Sequence, residues 1–364
     1  MTYMTNQSYL LVLHSIDGLG PVRLKLLIDY FKDPKLAWEA SEKELLEINL
    51  PKNVILKLIE TRKKLEPEKY LEDVEKSGIK WLTIFDDHYP KLLKQIYDPP
   101  VVLYFKGEIL LEDNKAIAIV GTRKVTGYGR IVTEKFATDL SQAGLTIVSG
   151  LARGADAIAH KSAIKSSGRT IAVLGGGLNK VFPPENIRLA SQIADGFGAV
   201  LSEFPPDNPS LPGNFPARNR IISGLSLATL VTEAASNSGS LITARLALEQ
   251  GREVFAVPGP VTSSFSRGPY ELIKEGARIV MEAQEILEEL GISENRFVEL
   301  KTNSLENMSD QEKSIISLLE NEGKHIDEIC RQLNLPAGAV SGTLLKLEIA
   351  GIVRSLGNGN YIKG

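Results

Sequence analysis

Between residues 116 and 257 the chain repeats one pattern: a short apolar run without polar alternation, a glycine-bearing loop, then a longer stretch of helical length. The runs are Ala116 to Val120, Leu145 to Val148, Thr170 to Leu174, Leu227 to Val231 and Val254 to Val257. Strands covered on both faces by helices read this way. Tyr128 to Ala143, Ala155 to Ser166, Pro184 to Ala194 and Leu241 to Gln250 supply the crossover helices. The alternation predicts an α/β fold with a doubly wound, mostly parallel, extended Rossmann-like sheet.

The pattern differs at both ends. Ser8 to His14, Val22 to Phe31, a stretch through Leu46, and Val54 to Ser77 read as helices. The Gly18-Leu19-Gly20 turn has the form of a helix-hairpin-helix, whose N–H groups can hold phosphate. A small helical packing domain is the reading favoured by the local acidic balance. Trp81 to Phe85 and Val101 to Phe105 are strand-like, separated by breaks at Tyr89-Pro90 and Pro99-Pro100, and lead into the α/β domain. Near the C-terminus, Ser309 with Glu312 forms a capping box for a helix to about Leu319. Helices at His325 to Leu333 and Ala337 to Ala350 follow, then a hairpin turning at Gly357-Asn358-Gly359, which together make a winged helix. Its third helix offers only Lys346 as a base and also carries Glu348, so docking or packing is favoured over DNA reading.

Composition, with 43% hydrophobic and 24% charged residues over 364 positions, is that of a soluble multidomain protein. A single cysteine, Cys330, leaves no intrachain disulfide and no cysteine-based zinc site. The start MTYMTNQSYL lacks a basic segment followed by a long apolar one, and no apolar stretch approaches the roughly 20 residues of a bilayer span, so a cytoplasmic location is expected. The net charge of −3 hides an uneven distribution. Residues 1–114 carry 16 Lys+Arg against 19 Asp+Glu and residues 286–364 carry 8 against 12, whereas residues 115–285 carry 18 against 14. Only the glycine-loop domain is basic, and local field rather than net charge decides polyanion binding.

Strand-to-helix loops of a parallel sheet emerge on one edge, where they can present N–H groups to phosphate. Five do so here: Gly121-Thr122-Arg123, Ser149-Gly150-Leu151-Ala152-Arg153-Gly154, Gly175-Gly176-Gly177, Ser238-Gly239-Ser240 and Pro258-Gly259. None has the G-x-G-x-x-G spacing and none ends in Lys-Ser or Lys-Thr, so neither NAD nor ATP is the leading ligand and no cofactor is expected. Lys180 and Phe182 precede Pro183-Pro184-Glu185-Asn186, and Arg218, Asn219 and Arg220 follow Phe215-Pro216. Cations beside an aromatic ring suit single-stranded nucleic acid, whose unpaired bases stack while its phosphates pair. Three alternatives stand beside this: Phe182 as a core residue, Arg218 or Arg220 bracing loops through Glu203 or Glu233, and Asp156 and His160 as helix cap or brace.

These motifs together, Ala118 to Arg123, Ser149 to Asp156 with His160, Ala172 to Gly175, Pro183 to Asn186, Ser202-Glu203, Phe215-Pro216 with Arg218 to Arg220, Glu233-Ala234 with Ser238 to Ser240, and Val257 to Gly259, resemble the DNA-processing protein A family, also called Smf. The resemblance covers about residues 81–285 and extends to the terminal domains. It implies a SAM- or helix-hairpin-helix-like domain at 1–80, a Rossmann-like DNA-binding domain at 81–290, a linker at 291–308 and a winged helix at 309–364. It implies a protein without catalytic turnover that binds single-stranded DNA, shields it, loads the RecA recombinase in natural transformation or recombination, and forms a homodimer through the Rossmann-like domain. Family DNA contacts fall on Arg123 and, by position before the Pro-x-x-Asn segment, on Lys180 and Phe182. Thr122 replaces the serine of many members and keeps the hydroxyl. The expected interface is therefore Gly121, Thr122, Arg123, Ser149, Gly150, Arg153, Gly154, Lys180, Phe182, Asn186, Arg218, Asn219, Arg220, Ser238, Gly239 and Ser240. A second reading, by analogy of fold, is a nucleoside-monophosphate phosphoribohydrolase with Glu233 or Glu249 and an arginine as acid–base pair.

Overall fold

The computed structural model describes residues 6–292, 309–319, 323–349, 352–357 and 359–363. Two compact units, residues 1–293 and 294–364, each carry a core. The expected linker at 291–308 falls almost wholly outside the described residues, as does Asn358 of the expected hairpin turn.

The first unit opens with helices α1 Gln7–Ser15, α2 Pro21–Phe31, α3 Pro34–Glu39, α4 Glu42–Glu47, α5 Lys52–Arg62 and α6 Pro67–Lys76. Its sheet has nine strands: β1 Lys80–Thr83, β2 Val102–Gly107, β3 Ala116–Val120, β4 Thr146–Ser149, β5 Thr170–Val173, β6 Gly198–Ser202, β7 Ala228–Val231, β8 Glu253–Ala256 and β9 Arg278–Ile279. Between and after them run α7 Lys91–Lys94, α8 Gly127–Gln142, α9 Ala155–Lys165, α10 Ile187–Gln192, α11 Asn214–Gly224, α12 Gly239–Glu249, α13 Arg267–Lys274 and α14 Ala283–Glu289. The strand order is β1-β2-β6-β5-β4-β3-β7-β8-β9. Strands β3 to β9 are parallel, and the lead-in strands β1 and β2 add an antiparallel edge through β2 against β6.

Alternation along β3 sends its side chains to two cores. Ile117 and Ile119 meet Phe136, Leu140, Ala159 and Ile286 from α8, α9 and α14. Ala118 and Val120 lie in the opposite core with Ile221, Ile222, Leu241 and Ala244 from α11 and α12. The chain runs outward from β3 through β4, β5 and β6, then returns to lay β7 on the other side of β3. That reversal separates the loops after β3 and β7 and opens a crevice at the strand ends, where ligands of doubly wound sheets bind.

Leu10, Leu11, Val12 and Leu13 of α1 are all buried, so this helix is the centre of the N-terminal bundle rather than an amphipathic surface helix. Its core continues into Val102 and Tyr104 of β2. The His14 Nδ1 lies 3.3 Å from the Tyr104 hydroxyl.

The second unit comprises α15 Asp310–Leu318, β10 Lys324–His325, α16 Ile326–Leu333, α17 Ala337–Ile349, β11 Val353–Gly357 and β12 Asn360–Lys363, with strand order β10-β12-β11. The capping box is formed: the Ser309 N–H donates to Glu312 at 2.7 Å and the Glu312 N–H donates to the Ser309 hydroxyl at 3.3 Å. Lys346 of α17 pairs with the same carboxylate at 2.7 Å. That ammonium, with the Ser309 donors, holds the Glu312 carboxyl at about 2. Among the described residues no helix is long and apolar enough to cross a membrane.

Two buried histidines give the first unit an acid sensitivity. Burial lowers His14 to about 4 and His160 to about 3, so both are neutral when the protein is folded at neutral pH. As pH falls through 6.5 the unfolded chain gains a proton at each, while the folded chain resists until those lower values, so stability declines with acidification. For His14 the loss by pH 4 is about 3 kcal/mol. Urea unfolding followed by the fluorescence of Trp38 and Trp81 should show it, and His14→Leu should flatten part of the pH dependence between about 6.5 and 4. An unchanged slope in that variant would show that His14 is not the titrating group.

Candidate nucleic-acid interface

The crevice between the loops of β3 and β7 is a cleft of about 670 Å³ lined by Gly121, Thr122, Arg123, Phe182, Phe215 and the Ser238 to Ser240 turn, over a floor of Asp156 and Arg218. Its loops interlock. The Thr122 N–H donates to the Glu233 carbonyl at 2.7 Å, and the Ala155 N–H donates to the Thr122 carbonyl at 3.2 Å. Gly154 has φ +78, and a Cβ there would stand 2.3 Å from the Thr122 oxygen; one on Gly121 would stand 2.7 Å from the Ala155 methyl. Both glycines are required by loop-to-loop approach before any ligand is considered.

Arg218 ties the floor together. It is 3% exposed, its Nη1 donates to the Gly150 carbonyl at 2.6 Å and to that of Val173, and it lies in the field of Asp156. The Asp156 carboxylate accepts from the N–H groups of Gly150 at 3.1 Å and Ala152 at 3.3 Å. Burial lowers the guanidinium to about 10, opposed by Asp156 and reinforced by the nearby charge of Arg123. Burial pushes Asp156 up, with Arg218 and the two N–H groups pulling it back.

Arg123 stands above this floor, exposed to solvent, its guanidinium 5.6 Å from the centre of the Phe215 ring. That is the range of a cation–π contact, which orients the cation without neutralising it. Phe215 in turn lies 6.0 Å from Phe182, which is 45% exposed. The three side chains form a platform of a half-buried ring and a more open ring beside an open cation.

The sixteen expected residues divide by placement. Gly121, Thr122, Arg123, Phe182, Arg218, Asn219, Ser238, Gly239 and Ser240 line the cleft. Arg153, Gly154 and Asn186 line a neighbouring groove, with exposed Arg153 paired to Glu185. Lys180 is exposed and lines neither. Arg220, Ser149 and Gly150 line neither hollow and are internal, and Asn186, though at the groove wall, is buried and engaged. Arg220 is 7% exposed and held by Asp98 at 2.9 Å and Glu203 at 2.5 Å, because two positions along α11 from Arg218 it points to the opposite side. Ser149 is fully buried and donates to the Ile119 carbonyl at 2.6 Å. Asn186 is 5% exposed and donates to the Leu151 carbonyl at 2.8 Å. Gly150 is buried with the Arg218 guanidinium 2.7 Å from where its Cβ would be. The loop-bracing alternative therefore describes Arg220, with Glu203 as partner, and Arg218, with backbone carbonyls as partners. His160 is a brace as well: its Nδ1 is 2.6 Å from the Thr170 hydroxyl, which donates onward to Ile147, so Nδ1 carries the hydrogen.

Several N–H groups of the five glycine loops are engaged inside the protein: that of Thr122 by the Glu233 carbonyl and those of Gly150 and Ala152 by the Asp156 carboxylate. In the third, the Gly177 N–H donates to the Asn208 carbonyl at 2.9 Å and Asn179 donates to Pro206 at 3.0 Å, so the segment 205–210 roofs it. In the fifth, Pro258 has no N–H, neither Pro258 nor Gly259 lines the cleft, and their carbonyls accept from Tyr128 and Tyr270. The fourth does open into the cleft: at Gly239, where α12 begins, an added Cβ would meet nothing within 4 Å. Phe215 was missed as a site residue. Its signal was helical spacing, since Phe215, Arg218, Asn219 and Ile222 share one face of α11 and all line the cleft.

A doubly wound sheet whose switch-point cleft pairs an open arginine with an aromatic platform defines a nucleotide- or nucleic-acid-binding protein of the Rossmann-like class. Comparison narrows this. Residues 80–291 match the family described as DNA recombination-mediator protein A, and residues 299–359 match its DprA winged helix domain. Protein Smf of Synechocystis sp. is 37% identical over 96% of this chain and 96% of its own. The crystal structure of DNA processing protein A from Streptococcus pneumoniae matches with TM-score 0.68 and 36% identity, over 78% of this chain and 97% of that one. That of DNA processing protein A from Helicobacter pylori, described for its single-stranded DNA binding mode, matches with TM-score 0.52 and 33% identity, over 58% of this chain and 95% of that one. The chain belongs to the DprA/Smf family, DNA-processing proteins of recombination.

The different roles of the two cleft arginines are testable by thermal unfolding. Arg218→Met leaves the Asp156 carboxylate buried without its guanidinium and should cost about 3–5 kcal/mol. Arg123→Ala removes an exposed side chain and should leave the midpoint nearly unchanged. Equal effects would contradict the assignment of Arg218 as a brace.

Proposed function

We propose that this chain binds single-stranded DNA in the switch-point cleft, shields it, and hands it to a RecA-type recombinase in transformation or general recombination. The observation that carries the reading is the open Arg123 guanidinium stacked on Phe215 with Phe182 beyond it. Phosphate takes the cation and an unpaired base takes the ring, and only a single strand offers both together. The start of α12 at Gly239 adds a positive dipole end for a second phosphate, the N–H groups of Ser238 and Ser240 being engaged by the Ala235 carbonyl and the Ser238 hydroxyl. Family membership and the single-stranded DNA binding of the Helicobacter pylori relative support the same ligand. Lys180, exposed near Phe182 in sequence, is a further cation for the strand leaving the ring.

The family's description as a recombination mediator supports the recombinase partner, and a homodimer through the Rossmann-like unit is part of the same proposal. A docking role for the winged helix is supported by the pairing of Lys346, the base of α17, with Glu312. The two carboxylates of the hydrolase alternative are poorly placed for acid–base work in the cleft. Glu233 is 3% exposed and accepts from the Thr126 hydroxyl at 2.6 Å and its N–H at 3.1 Å, while Glu249 ends α12, on the order of 15 Å along the axis from the turn that enters the cleft.

Anisotropy titrations with single-stranded and duplex oligonucleotides at several salt concentrations test the proposal. Neutralising about four phosphates should give a log–log salt slope near −3 with single strands, and Arg123→Ala should reduce its magnitude by about 0.7. Phe182→Ala should weaken binding by about 1–3 kcal/mol without changing the slope, because stacking releases no counterions. Equal affinity for duplex, or a wild-type response from Arg123→Ala, would overturn the placement.

A further inference from the structure

Arg123 also borders a second hollow, a groove of about 580 Å³ between α8 and α9. Its walls carry Arg123, Lys124, Arg130, Arg153, Lys161 and Lys165 against two carboxylates. Glu134 is paired with Arg130 at 3.7 Å and Glu185 with Arg153. Lys124, Lys161 and Lys165 are exposed, and no ion pair among the described residues holds them. Lys161 and Lys165 stand one turn apart on α9, about 6 Å along its axis, comparable with neighbouring phosphates of an extended strand. The groove's lining contains no aromatic ring among the described residues, whereas Phe182, Phe215 and Phe265 line the first cleft.

We propose that this groove is a second subsite for the same strand, one that follows the sugar-phosphate backbone and leaves the bases in solvent. The inference rests on the single-stranded DNA reading of the first cleft, and Arg123, common to both hollows, is the point where the strand crosses. Exposed lysines in a line give no single phosphate a closed site. They do give a polyanion successive points of counterion release. The groove therefore adds affinity and salt dependence without adding preference among bases.

The test uses labelled oligothymidylates of about six and about twelve nucleotides, plus the shorter one extended at either end by about six abasic sugar-phosphate units. Each is titrated against wild type and the Lys161→Gln/Lys165→Gln double variant. Wild type should bind the twelve-nucleotide strand and one of the abasic-extended strands about tenfold tighter than the short strand, with a salt slope steeper by about 2. The double variant should bind the short strand as wild type does, which also shows that it is folded, and should lose most of the gain. An abasic extension that adds nothing at either end, or a gain that survives in the double variant, overturns the second subsite alone. Failure of wild type to bind the short strand, or short-strand binding indifferent to Arg123→Ala, overturns the first cleft and this inference with it.

Discussion

The Arg218 guanidinium is the point on which the cleft depends. It reaches from α11 to the carbonyl oxygens of Gly150, after β4, and Val173, in β5, while Asp156 at the start of α9 supplies its counter-charge and gathers the Gly150 and Ala152 N–H groups. Three chain segments that the sheet alone would leave adjacent but independent are thereby fixed to one another. A buried charge is tolerated only where a partner and hydrogen bonds surround it, so this arrangement admits little play. Phe215 is one turn earlier on α11 and inherits that fixity, as does Arg123 resting on its ring. The floor is rigid so that the exposed groups above it can be few.

Much of this frame was legible because the rules that set it are local. Apolar runs bounded by glycine marked β3, β4, β5, β7 and β8 to within a residue or two, and the Ser309–Glu312 capping box is written in four consecutive positions. The antiparallel edge was harder: β1 and β2 read as strands, but nothing in their sequence says that β2 joins β6. The site was legible in its loops and not in its arginines. Arg218 and Arg220 look equivalent in sequence, yet one meets Gly150 and Val173 and the other Asp98 and Glu203, partners set by tertiary structure alone. Glycine, likewise, marks close approach without saying what approaches. At Gly121 and Gly154 it is a neighbouring loop.

The excess of cations over acids in residues 115–285 includes Arg218 and Arg220, which face inward and contribute little to the field felt by a ligand. The useful positive charge is the exposed set around Arg123 and in the groove between α8 and α9, whose two lining carboxylates, Glu134 and Glu185, are each engaged by one arginine. Exposed pairs of that kind are worth little to stability. Arg153 can exchange Glu185 for a phosphate at small cost, so a surface pair does not remove its arginine from the reckoning as a buried pair does.

On the proposed reading, discrimination and affinity reside in different places. The ring of Phe182 accepts a base only when that base is unpaired, so selection against duplex is made where Phe182, Phe215 and Arg123 meet. A line of lysines responds to phosphates of any strand and cannot select. If the lysines stood alone, the domain would hold duplex and single strand alike. If the rings stood alone, a short stack would be released quickly in physiological salt. Placing the arginine between them, against the ring on one side and the groove on the other, lets a strand held at the selective site run on into the unselective one. A single strand then gains both sets of contacts where a duplex gains only the lysines, and that difference is the preference.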